Sequence, residues 1–249
     1  MTHLRSLIVL LLAVAQMVIG FFPGLLGAGS DVGAMVEPYR TPLVPAGWAF
    51  AIWGLLYIGC LVFAVFHLMN RRDACVARVG WLAALSFLGT TLWVPHQLTY
   101  GPGWASFIGL EWILLTNLAA TFAIRLDPRR GAFRGLAYGA IIALAGWITV
   151  ASPAGLSLAL VYENGWDLGD DRTGAVFPIL LAWLPIAWGL TWLIRSWFYV
   201  VPIMWGLFGV AMANQAEQQF FIGVLALATS FAGLTLFARK HRVRGPEVA

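Results

Sequence analysis

The residues of this chain best suited to chemistry are mostly aromatic. Thirteen tryptophans occur in 249 residues. Phe50 and Trp53 are spaced i, i+3, and Trp53 and Tyr57 i, i+4, which lines all three up on one helical face. Flat rings with an N–H or O–H at the edge suit a large planar ligand, because their faces stack and their edges donate hydrogen bonds. The competing reading is plain interhelical packing. Glu111 is the one carboxylate well inside an apolar run. A charge there is costly, so the group either faces the bundle interior with a partner or stays neutral near the interface. In the first case it is a proton or cation site or a ligand anchor, and Thr116 and Asn117, one or two turns inward, extend it as a polar stripe. His96 follows Pro95 and offers a haem iron one nitrogen with no evident second. His67 stands beside Arg71 and Arg72, where contact with a lipid headgroup is expected. The acidic stretch from Glu163 to Asp171 lacks the ligand spacing of a calcium loop and reads as a charged connecting loop. Cys60 and Cys75, near one membrane end, match no metal motif and read as plain thiols. No catalytic triad, P-loop or zinc motif is present, and enzymatic activity is not the expectation.

These residues need elements to position them, and composition decides which elements. The chain is 61% hydrophobic and only 10% charged, whereas a soluble domain carries about 25% charged residues. A fold of this size cannot hide so much apolar surface from water, so its solvent must be lipid. Irregular backbone cannot face hydrocarbon, which leaves helices or a closed barrel. The apolar runs fall at about 5–22, 47–69, 79–97, 104–124, 135–160, 175–194, 197–213 and 219–238. Their length is that of a spanning helix and they do not alternate as barrel strands do. The expectation is an all-α polytopic integral membrane helix bundle with about eight transmembrane helices. The first run is long for a signal peptide and reads as a retained span. Pro153 is expected to interrupt the fifth.

The basic residues test this arrangement. Their net excess of +4 is scattered in short clusters between apolar runs, which argues for membrane topology and against nucleic acid. With the N-terminus inside, the inner segments hold Arg5; Arg71, Arg72 and Arg78; Arg125, Arg129, Arg130 and Arg134; Arg195; and Arg239, Lys240, Arg242 and Arg244. The outer segments hold only Arg40 and Arg172 and collect Asp31, Glu37, Glu163, Asp167, Asp170, Asp171 and Glu217. Positive charge is retained on the cytoplasmic side, so a cytoplasmic membrane with both chain ends inside is predicted. The pattern depends on a break at Arg195-Ser196 between the sixth and seventh runs. Trp48, Trp81, Trp104, Trp166 and Trp197 fall where an interfacial belt would put them. Trp183, Trp188 and Trp192 share roughly one helical face.

One stretch is specific enough to suggest a relationship. Thr41 to Tyr57 combines a Pro-rich loop with the helix opening Trp48-Ala49-Phe50-Ala51-Ile52-Trp53-Gly54-Leu55-Leu56-Tyr57. It resembles the second-helix segment of the TspO/MBR family, the tryptophan-rich sensory proteins, in its longer bacterial form. Trp93-Val94-Pro95 resembles that family's W-x-P element, and Gly146-Trp147-Ile148-Thr149-Val150-Ala151 its fifth-helix G-W-I-S-V-A element. The likeness divides the chain into a TspO-like five-helix unit over 1–162 and a three-helix C-terminal membrane extension over 163–249. It implies a pocket between the first five helices, lined by Trp48, Phe50, Trp53, Tyr57, Trp93 and Trp147, for a hydrophobic planar ligand such as a porphyrin, haem or sterol-like lipid. The sequence departs from the short members in three places. Trp48 and Trp53 are five apart rather than six, the third-helix Asn is absent with Thr90 nearby, and Gly155 falls about where the fifth-helix Asn would be. The alternative function is a secondary transporter of a small molecule using Glu111, with Asn117 in the polar site. A structural subunit of a larger complex is also compatible with the aromatic surfaces. The expected partners are membrane lipid, a hydrophobic small-molecule ligand and a second copy of the chain in a homodimer.

Overall fold

A computed structural model of the chain describes residues 2–22, 31–127 and 131–240. Arg129, Arg130, Arg242 and Arg244, among the basic residues of the inner segments, lie outside the described residues. Within them the chain is helical, with no strand: α1 (Thr2–Phe21), α2 (Val32–Val36), α3 (Ile52–Met69), α4 (Ala74–Tyr100), α5 (Trp104–Arg125), α6 (Ala132–Asn164), α7 (Arg172–Ile194), α8 (Trp197–Ala213) and α9 (Gln218–Lys240). Short 3-10 turns cover Glu37–Tyr39 and Gly47–Ala51. Every long helix coincides with a predicted apolar run. Seven are long and apolar enough to cross a membrane. The eighth, α8, is apolar but has only 17 residues, a rise of about 25 Å against a hydrocarbon core of about 30 Å. Its far end is covered by protein: the N–H of Ala46 donates to the carbonyl of Gly209 at 3.0 Å, and Asn214 donates to the carbonyl of Pro42 at 2.9 Å. The chain is therefore a multi-pass membrane protein.

The helix ends follow from local chemistry. Asp73 caps α4 by accepting from the N–H groups of Cys75 and Val76 at 2.9 and 3.2 Å, which starts that helix about a turn before the apolar run begins. Asp171 caps α7 by accepting from the N–H of Gly174 at 2.8 Å. Gly165 ends α6 in the left-handed region at φ 61°, the usual role of glycine past a helix C-terminus. Arg195 does the same for α7 at φ 53°, so the predicted break at Arg195-Ser196 is present.

α1 packs on α3 and α4, α4 on α5, α5 on α6, and α3 on α6. α8 seats against α6 and is backed by α9, while α7 is the more peripheral helix and rests mainly on α9. Trp183 and Trp188 both approach Phe231 of α9, at 5.8 and 6.3 Å between ring centroids, and Trp192 approaches Phe237 at 5.9 Å. The shared face of these three is thus spent on α9. The α6–α8 crossing is close because Gly146 has no side chain: a Cβ there would collide with the backbone carbonyl of Tyr199.

The expected interruption at Pro153 is not found, and α6 runs unbroken from Ala132 to Asn164. Proline removes one backbone donor and orphans the carbonyl four residues earlier, here that of Thr149. The indole N–H of Trp183 fills that vacancy, donating to the Thr149 carbonyl at 2.7 Å. A neighbouring helix thereby satisfies the group that would otherwise break the helix in lipid.

Charge segregates between the two ends. At one, Arg5 donates to the carbonyl of Arg71 at 3.0 Å. There too Arg134 bridges Asp127 at 2.5 Å and Asp73 at 3.2 Å, with its guanidinium over the ring of Phe66. At the other end, Arg172 reaches the carbonyl of Arg40 at 2.5 Å, and Tyr162 that of Tyr100 at 2.9 Å. Glu163 accepts from the N–H of Trp104 at 3.2 Å.

Candidate functional site

The site grows out of the loop and turn that precede α3. Residues 41–44 form a tight turn, the N–H of Val44 donating to the carbonyl of Thr41 at 3.0 Å, with Pro42 and Pro45 fixing the backbone there, and this stretch is tied down along its length. The hydroxyls of Thr41 and Ser157 of α6 pair at 2.7 Å in the buried interior. Arg40 folds back onto its own loop, binding the carbonyls of Val44 and Pro45 at 2.8 and 2.9 Å and the carboxylate of Glu37 at 3.1 Å. The loop then enters the turn Gly47–Ala51, which presents Trp48 and Phe50, and α3, which presents Trp53 and Tyr57.

Trp53 is the hub. Its ring stacks with Tyr57 at 5.5 Å and with Trp93 of α4 at 5.8 Å, and meets Trp147 of α6 edge-on at 6.2 Å. Phe50 meets the same Trp147 edge-on at 6.1 Å. Trp93 is fixed in turn, because its N–H reaches both the carbonyl and the hydroxyl of Ser106, at 3.1 and 2.9 Å. The Ser106 hydroxyl bonds to Gln97, one turn beyond Trp93 on α4. Five of the six residues expected to hold ligand therefore form one aromatic cluster joining α3, α4, α6 and the entry turn. Trp48 is the outlier: it is 44% exposed and packs against Trp205 of α8 at 5.1 Å.

Two spaces flank this cluster. The inner chamber, about 50 Å³, lies between Phe50, Trp53, Trp93, Trp147 and the α5 residues Ser106 and Leu110. A water occupies about 30 Å³ in the liquid, so this chamber has room for one or two. The outer cleft, about 460 Å³, opens between α1, α2, α3 and α4, and its wall carries Trp48, Phe50, Trp53, Tyr57 and Trp93. Phe50, Trp53 and Trp93 belong to both walls, so they form the partition between the two spaces. The indole N–H of Trp147 is buried beside the inner chamber (1% exposed) and has no hydrogen-bond partner among the described residues. Gly155 also lines that chamber, so the position that differs from the short family members does face the interior.

The other candidates disperse. Glu111 accepts a hydrogen bond from Ser152 of α6 at 2.5 Å and lines neither space. Asn117 is fully buried against α4, donating to Ser86, while Thr116 bonds back to the carbonyl of Trp112 at 2.8 Å on the exposed side. The three do not form the stripe expected of them, because six residues of helix turn Glu111 and Asn117 toward different neighbours. His96 lies beside Tyr100 in an outward groove of α4 and α5 with Trp112, away from the inner chamber. His67 does not reach a headgroup position. It is fully buried, its ring seated against α4 where Gly80 leaves space for it. Cys60 is buried midway along α3 rather than near a membrane end. In the acidic stretch, Asp167 accepts from the N–H of Gly169 at 2.9 Å and Asp171 caps α7, so these carboxylates hold loop geometry. The reading of residue types missed Asp31, Gln97 and Ser106. Gln97 had a signal, being four residues from Trp93; Ser106 had none, since only the α4–α5 packing brings it there.

The motifs behind the resemblance thus meet in space. The second-helix segment supplies the entry loop and Trp53, the W-x-P element supplies Trp93, and the fifth-helix element supplies Trp147 on one face and Gly146 and Thr149 on the face that receives α8 and α7. Neither a curated protein nor a solved structure matches the chain. A family model described as TSPO-like protein matches residues 4–238, from the first turn of α1 almost to the end of α9. The chain belongs to the TSPO-like family.

Proposed function

We propose that this protein is a membrane-embedded binding or sensory protein whose ligand is hydrophobic and planar and lies against Trp53. The observation that supports this best is the position of Trp53 in a partition of stacked rings, with a cleft of about 460 Å³ on one side and a chamber of about 50 Å³ on the other. Clefts of roughly 300–1,000 Å³ with apolar walls and few polar groups are the usual form of small-molecule sites. Porphyrins, haem and sterol-like lipids are the candidate ligands. A flat ring would stack in the outer cleft, and displacing Phe50 or Trp53 would open the inner chamber, where the unpartnered N–H of Trp147 would receive an acceptor at the ligand's edge. Glu111 lines neither space, so the geometry adds nothing to a transport reading.

A titration of the purified protein with haem and protoporphyrin, followed by tryptophan fluorescence, tests the proposal. Saturable quenching at micromolar ligand is expected. Trp53→Phe should weaken binding about five- to tenfold, roughly the 1 kcal/mol of one aromatic contact, and Trp147→Phe should weaken only ligands that carry an acceptor. Quenching that rises linearly with ligand, or that ignores both substitutions, would show partition into the surrounding detergent or lipid instead.

A further inference from the structure

The outer cleft has a charge as well as a shape. Its wall includes the aromatic residues Trp48, Phe50, Trp53, Tyr57 and Trp93, and Asp31 lines it as well. No Arg, Lys or His lines it among the described residues, and residues 23–30, which lead into Asp31, include no charged residue. The nearest basic residue along the chain, Arg40, is engaged by Glu37 and by two carbonyls of its own loop. Of the Asp31 carboxylate, Oδ1 accepts from the N–H of Ala34 at 2.9 Å. The cleft therefore sets several aromatic rings beside one carboxylate, with no cation to balance it among the described residues that line the cleft. Aromatic faces attract ammonium-type cations, and the carboxylate of Asp31, exposed at the edge of the cleft, adds a charge of opposite sign to that attraction.

We propose that the outer cleft binds an organic cation, a positively charged nitrogen carried on a flat apolar body, with the charge held between Asp31 and the neighbouring ring faces. This rests on the ligand site described above and narrows its ligand class: of two flat ligands of equal size, the cleft holds the cation more tightly than the anion, and a porphyrin binds there only with its propionates turned away from Asp31. The same chemistry can arrive as a free amphiphilic cation or as the choline headgroup of a membrane lipid.

A matched pair of probes separates charge from shape. N-methylacridinium and anthracene-9-carboxylate share a flat three-ring frame and carry opposite charge. With the full chain in a neutral sugar-headgroup detergent, N-methylacridinium should quench tryptophan fluorescence saturably, with a midpoint about tenfold below that of anthracene-9-carboxylate. Asp31→Asn should weaken the cation about tenfold. Asparagine still caps α2, and an unchanged circular dichroism spectrum and melting temperature verify that the variant is folded. Added phosphatidylcholine that competes with the probe, where phosphatidylglycerol does not, identifies the headgroup as the natural occupant; absence of competition identifies a free cation. The assignment is overturned if the anion binds as tightly as the cation, or if Asp31→Asn leaves the cation's affinity unchanged. If neither probe binds while protoporphyrin still quenches through Trp53, the cation assignment fails and the ligand site stands. If nothing binds, both fail.

Discussion

At the scale of single residues, the bond between Trp183 and Thr149 shows how a sequence can mislead and be rescued. Pro153 in α6 reads as a break, and by local rules it is one, since it removes a donor and orphans the carbonyl of Thr149. The partner that repairs it sits 34 residues away on α7, where no local pattern announces it. The Thr149 hydroxyl is also engaged, pairing with the hydroxyl of Tyr199 at 2.9 Å, so one residue ties α6 to both α7 and α8. Removing the indole N–H leaves a buried carbonyl without a donor, which costs about 1–3 kcal/mol. Trp183→Phe is therefore expected to lower stability by that amount in a chemical unfolding titration in detergent. Pro153→Ala restores the missing backbone donor, so adding it to Trp183→Phe should recover most of the loss. The pair should be non-additive in a double-mutant cycle. Additive losses would mean that the indole acts only through packing.

At the scale of elements, the long helices were legible and their connections were not. Runs of apolar residues mark the spans because lipid imposes length and composition on them, and a strong requirement leaves a strong trace. The start of α4 was missed by about a turn because Asp73 acts there through its side chain as a cap, which hydropathy does not register. The segment before α3 read as a rigid Pro-rich loop, which it is, but the tethers of the loop depend on distant partners: Ser157 on α6, Gly209 on α8, Asn214 just past its end, and Arg172 at the start of α7. These tethers make the loop a fixed cover over the inner chamber, to which Val44 and Pro45 contribute wall. Thr41→Val keeps the side-chain volume and removes the hydroxyl pair, while Ser157 keeps its bond to the carbonyl of Ala154 at 2.8 Å. Loss of a buried hydrogen bond of about 1 kcal/mol should speed hydrogen exchange at the amides of Val44 and Ala46 about fivefold, with exchange in α6 unchanged. If exchange at those amides is unaltered, the Thr41–Ser157 pair does not hold the loop, and its other tethers and prolines suffice.

At the scale of the whole molecule, the aromatic site and the charge pattern define a direction. Arg5, the turn after α3, Arg134 and Arg195 gather at one end of the bundle, while Asp31, Glu37, Glu163 and Asp171 gather at the other, where Asp31 lines the outer cleft. The rule that retains arginine and lysine on the cytoplasmic side counts only short connecting segments, and every connection in this chain is short. Of its fifteen basic residues, only Arg40 and Arg172 fall in segments assigned to the far side, and both are bound to carbonyls of the loop before α3. The bundle is accordingly expected to insert with the arginine-rich end in the cytoplasm and the cleft facing outward, where a ligand reaches it from the outer leaflet or the space beyond. Single cysteines introduced at Arg72 and at Asp170 in a chain lacking Cys60 and Cys75 test this in intact cells. A membrane-impermeant maleimide should label position 170 and leave position 72 unlabelled until the membrane is opened. The opposite pattern would invert the bundle and turn the cleft toward the cytoplasm, so its ligand would have to come from inside the cell. Labelling of both positions in intact cells would mean that the segments between them cross the membrane an even number of times, which the continuous helices α4, α5, α6 and their connections do not allow.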